Sequence, residues 1–83
     1  MSYYIVVRPG KTWRDAIGFS GWEKGHKPCL TSERCGIAQT FRSRVLAQIV
    51  ADELSESGEN WVVWNGSNIL REIEKTYGVK IIP

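Results

Sequence analysis

His26, Cys29 and Cys35 come nearest to a chemical motif in this sequence. Thiolates and an imidazole at close spacing are zinc ligands, but a tetrahedral site takes four. The chain has no other His or Cys, so Glu23 or Glu33 would have to complete the set. The five-residue gap between the cysteines is also wider than a usual zinc knuckle. The reading is two reduced thiols in a loop, with His26, Cys29 and Cys35 kept as a weak metal candidate and no cofactor expected.

The same residues offer a Cys-His nucleophile pair only on paper. They lie on a glycine-rich stretch, whereas catalytic geometry is held by rigid elements. Paired carboxylates would have to come from Asp52, Glu53, Glu56 and Glu59. Their spacing puts them on the exposed side and end of a helix, where a solvated face is expected. They remain an acidic contact patch, able to imitate phosphates toward a basic groove. Gly18-x-x-Gly21 lacks the Gly-Lys-Ser/Thr of a phosphate loop. No catalytic residue is assigned, and the chain is read as a non-enzyme.

The stronger signal is cations interleaved with rings: Arg8, Lys11, Trp13, Arg14, Phe19, Trp22, Lys24 and Lys27. Cations meet phosphates and rings stack on bases, which suits nucleic acid. Trp and Arg are also enriched at protein interfaces. The partner-binding set read from the sequence is Arg8, Lys11, Trp13, Arg14, Trp22, Lys24, Lys27 and Trp64. Trp61 and Trp64 face opposite sides of one strand, and Trp64 is included as a ring left part-exposed.

The charge is two-ended. Residues 1–44 hold eight Lys/Arg against three acids, and residues 45–83 hold three against six, for a net charge of +2. A dipolar domain tends to meet a partner through one end.

These residues need elements to position them. Tyr3–Val7 is aromatic and β-branched, a strand ended by Pro9-Gly10. Residues 10–36 are glycine-rich and poor in aliphatics, an ordered loop or long hairpin in which Ile17, Phe19 and Gly21 alternate with Gly18, Ser20 and Trp22. Residues 36–41 read as a short strand leading to a helix at about 43–57, capped by Ser43 and stopped by Gly58. Leu46, Val50 and Leu54 form its apolar row, with Ala47 and Ile49 beside it.

Trp61–Trp64 is a strand apolar on both faces. Asn65-Gly66 turns into a second helix carrying Ile69, Leu70, Ile73 and Tyr77, stopped by Gly78. Residues 79–82 alternate as a final strand. The fold expected is α+β: a small, mainly antiparallel sheet of three to five strands, with the longer of two helices on one face. Residues 1–83 form a single domain.

The string Ala38-x-x-Phe41-x-Ser43-x-x-x-Ala47-x-x-x-Ala51-x-x-Leu54, followed by a Val-rich strand, resembles the central β-α-β block of small phage- and plasmid-borne accessory proteins, anti-CRISPR proteins among them. The resemblance spans residues 37–64 and carries over no functional residue. It implies a small inhibitor that blocks a host protein or nucleoprotein complex by steric occlusion. The alternative is a nucleic-acid-binding accessory protein using residues 8–27.

Hydrophobic residues make up 42% of the chain and charged residues 24%, ordinary globular values. No apolar run approaches the roughly 18 residues needed to span a bilayer. Residues 1–8 lack a basic leader pattern, so no membrane association and a cytoplasmic location are expected.

Overall fold

In the computed structural model, residues 2–32 and 37–81 are described. The protein is α+β. Among the described residues, four strands form one antiparallel sheet: β1 (Tyr4–Arg8), β2 (Ile17–Glu23), β3 (Lys27–Thr31) and β4 (Val62–Asn65). Their order across the sheet is β3-β2-β1-β4. Helices α1 (Arg44–Ser55) and α2 (Ile69–Tyr77) complete the fold. No helix of the described residues is long and apolar enough to cross a membrane.

The apolar run of β1 follows from its central place. Ile5 and Val7 pack with Trp64 and Ile73 on the α2 side. Val6 packs with Phe19, Ala47 and Ala51 on the α1 side. With both faces covered, strand alternation fills each with apolar side chains. The same cover buries Trp64 of β4 and Trp61, which immediately precedes the strand. Trp61 goes to the α1 side and Trp64 to the α2 side, 5% and 3% exposed. Trp64 is therefore core, which corrects its assignment to a partner surface.

The α1 side chains correct a second expectation. The buried positions are Ala47 and Ala51, flanked by the part-buried Val50 and Leu54. Leu46 and Ile49 are 57% and 55% exposed, and Val45 is 69% exposed. Small residues let the helix approach the sheet closely, and that approach sets the buried stripe. Ser43 caps the helix by accepting from the Leu46 N–H at 3.3 Å, a bond worth about 1 kcal/mol. At the other end Ser55 Oγ donates to the Ala51 carbonyl at 2.7 Å and accepts from the Trp61 N–H at 3.1 Å. It ties the helix to the entrance of β4.

Residues 37–41 do not form a strand, and Gly36 lies outside the described residues. β1 and β2 pair only at Val7–Gly18 and Arg8–Ile17, then diverge. The 37–41 segment occupies the gap. Phe41 exchanges two backbone hydrogen bonds with Tyr4, at 2.7 and 2.8 Å, and the Gln39 N–H donates to the Phe19 carbonyl at 2.8 Å. One partner on each side, at different points, leaves no continuous ladder.

The expected C-terminal strand is also absent from residues 79–81, and Ile82 lies outside the described residues. The Ile81 N–H instead donates to the Glu74 carboxylate at 2.7 Å. Gly78 ends α2 in the left-handed region at φ 67, as its position after Tyr77 requires.

Candidate functional site

Residues 10–32 of the glycine-rich segment form a hairpin preceded by a short 3-10 turn, Trp13–Asp15; residues 33–36 lie outside the described residues. At the hairpin tip the His26 N–H donates to the Glu23 carbonyl at 2.9 Å. Gly25 adopts φ 92, the positive value that the third residue of a type II turn requires. His26 follows at φ 63, an uncommon conformation for a non-glycine residue. The turn presents Lys24, His26 and Lys27 to solvent.

Trp22 stands beside this turn, 44% exposed. Simple alternation would put it on the opposite sheet face from Phe19. A register shift between Phe19 and Gly21, with Gly21 at φ 132, reverses the alternation. Bulges re-aim side chains in this way. The Trp22 ring packs edge-on against the fully buried Phe19, centroids 5.0 Å apart and planes 67° apart. Phe19 in turn lies parallel to Phe41, centroids 6.5 Å apart. The indole is thus held from beneath and open above. Trp22, His26 and Glu53 line an open depression of about 260 Å³, so one acid from α1 faces the basic hairpin.

The remaining cations are not gathered here. Lys11, Trp13 and Arg14 lie at the opposite end of β2, a seven-residue strand spanning about 20 Å at ~3.3 Å per residue. Arg14 stacks over the Trp13 ring at 5.2 Å, and Trp13 packs against the α2-side core. Lys11, Thr12, Trp13, Tyr77 and Val79 line a second shallow depression of about 240 Å³. Arg8 forms an ion pair with Glu59 and lies 5.7 Å from the Trp61 ring centroid. That joins a residue of the expected basic patch to one of the expected acidic patch. Both are occupied in holding the start of β4.

The acidic set is split as well. Asp52 accepts a hydrogen bond from Gln48 at 2.9 Å, Glu53 faces the hairpin, and Glu56 is exposed at the end of α1. What emerges is a hairpin site of Trp22, Lys24, His26 and Lys27, with Glu53 at its edge. Gly21 was the signal in the sequence that could have placed Trp22 correctly.

The metal candidate is incomplete in view, because Cys35 and Glu33 lie outside the described residues. Among the described residues no cluster of three His, Cys, Asp or Glu side chains could hold a metal ion. Cys29 is a half-buried free thiol on β3. Burial pushes it above its ordinary value. Glu23 adds to the shift by hydrogen bonding to the thiol and repelling the thiolate. The thiolate is the reactive form, so Cys29 is the reverse of an activated nucleophile. In a Cys35→Ser background, Cys29 is expected to react with iodoacetamide at neutral pH more slowly than a free thiol. Glu23→Gln should accelerate it, and an unchanged rate would remove the carboxylate from this account.

Compared with known proteins, the chain matches no family model, no curated protein and no solved structure at a significant level.

Proposed function

We propose that this protein is a non-catalytic binding module that inhibits a larger host protein or nucleoprotein complex by steric occlusion. It contacts that target through the β2–β3 hairpin. The observation that carries this reading is the Trp22 indole, braced by Phe19 yet 44% exposed. A large ring held rigid at the surface loses little entropy on binding, which is the character of an interface hot spot. Lys24 and Lys27 flank it and suit an anionic surface on the target. The resemblance of residues 37–64 to phage-borne inhibitors of the anti-CRISPR type points to the same class of role.

The test is capture of a stoichiometric partner from bacterial lysate by the wild-type chain, followed by titration of that partner. Trp22→Ala is expected to weaken binding by about 2 kcal/mol, roughly 30-fold. Its stability should fall by only about 1 kcal/mol, from loss of the edge contact to Phe19. Equal affinity for wild type and Trp22→Ala would count against the hairpin as the site.

The second reading is nucleic-acid binding, favoured by the exposed ring on the hairpin that carries Lys24 and Lys27. It predicts an affinity that falls steeply with salt and drops when Lys24 and Lys27 are neutralised. A mobility-shift assay with no retarded band at low salt would dispose of it.

A further inference from the structure

The outer face of α1 has an unusual combination of side chains. Val45, Leu46 and Ile49 are each more than half exposed, and their spacing makes them neighbours on one side of the helix. They sit on the surface opposite Ala47 and Ala51, the residues that meet the sheet. Scattered exposed aliphatics are normal, but a contiguous cluster marks a contact.

The charges around the cluster say what the contact is. A helix favours acids at its N-terminus and bases at its C-terminus. α2 follows that rule, with Glu72 in its first turn and Lys75 in its last. α1 inverts it, with no acid in its first turn and no base in its last. Arg42 and Arg44 stand at its N-terminal end, and Asp52, Glu53 and Glu56 at its C-terminal end. Arg44 lies 5.8 Å from the Tyr4 ring centroid, so Arg42 carries the outward charge. Within one chain this arrangement costs stability at both ends.

We propose that α1 is a self-association surface on which a second copy of this chain packs its own α1 antiparallel. An antiparallel neighbour brings each basic end beside the other copy's acidic end and opposes the two helix dipoles. With a two-fold axis near position 47, Val45 of one copy meets Ile49 of the other, and Arg42 meets Asp52. Such an interface is isologous, so each favourable pair occurs twice. The apolar patch of three side chains is small beside the roughly 800 Å² per partner of a standard interface, which sets the dimer in a weak, micromolar range. The hairpin's Trp22 and His26 adjoin Glu53 at one end of this helix, so the two readings are separated by their variants: Trp22→Ala is read by partner binding and Ile49→Asp by dimer formation.

Sedimentation equilibrium on the full chain tests it. The wild type is expected to pass from monomer to dimer between about 10 and 100 µM, with weakening as salt rises. Ile49→Asp should give a monomer across that range with an unchanged circular dichroism spectrum, since Ile49 is exposed. Arg42→Glu should weaken the dimer up to about tenfold, two exposed ion pairs being lost. Arg42→Glu combined with Asp52→Arg should recover most of that loss. A wild-type chain that stays monomeric throughout overturns the proposal and leaves the face to a foreign partner. A dimer unaffected by Ile49→Asp overturns it equally.

Discussion

Phe19→Ala is expected to cost about 3–5 kcal/mol, the loss typical of deleting a fully buried ring. Phe19 is 0% exposed and is the largest fully buried side chain among the described residues. It sits where β2, the 37–41 segment and α1 meet, so no single element can collapse into the space it leaves. A domain of 83 residues has in total only about 4–12 kcal/mol of stability, at ~0.05–0.15 kcal/mol per residue. The variant should therefore sit at or near the edge of unfolding at room temperature. Urea denaturation followed by circular dichroism measures this, and a loss below about 1 kcal/mol would mean that the ring is not the keystone described. In whatever fraction remains folded, the Trp22 ring loses its brace, so the core residue and the surface site depend on one contact.

The second large effect is a reversal of ordinary expectation on α1. Ala47→Leu should destabilise by about 1–3 kcal/mol, although leucine is almost as good a helix former as alanine. Ala47 is 0% exposed, and a larger side chain there must push the helix off β1 and β4. Leu46→Ala, one position away, should change stability by no more than about 0.5 kcal/mol, because Leu46 is largely in solvent. Thermal melts at low micromolar protein give both numbers. If Leu46→Ala proved the more damaging of the two, the helix would be rotated from the orientation described.

That helix shows where the sequence was legible and where it was not. The elements around it were readable from local chemistry. Ser43 caps, Gly78 terminates, and the β-branched run of β1 and the apolar β4 mark strands buried on both faces. The rotation of α1 was not readable, because its apolar residues nearly encircle it. Hydrophobicity favours leucine and isoleucine for the core, whereas close approach to a sheet favours alanine. Only the second consideration decided, and it is a property of the tertiary contact.

Trp64 was misplaced for a related reason. Two helices suffice to cover both faces when the sheet has only four strands, so neither Trp61 nor Trp64 is left over. The grouping of residues on the hairpin was legible in part. Lys24, Lys27 and Trp22 do gather, but Arg8 is claimed by Glu59, 51 positions away, a non-local pairing that no window of sequence displays. Residues 37–41 have strand-like composition yet lack a strand partner along their length, and composition does not register partners.

The position of β1 at the centre of the sheet has a consequence for biosynthesis. Its longest ladder is with β4, which begins at Val62, so during translation Tyr4–Val7 leaves the ribosome more than 50 residues before that partner, with only its Val7–Arg8 end able to pair early with β2. Until then it is a short, uncharged, β-branched segment of the kind that seeds intermolecular association. Arg8 and Pro9 follow it immediately: a charge and a strand breaker in the position of gatekeepers. Arg8 therefore serves twice, first as a guard on the nascent strand and then, once Glu59 has emerged, as the clasp that fastens β4 beside it.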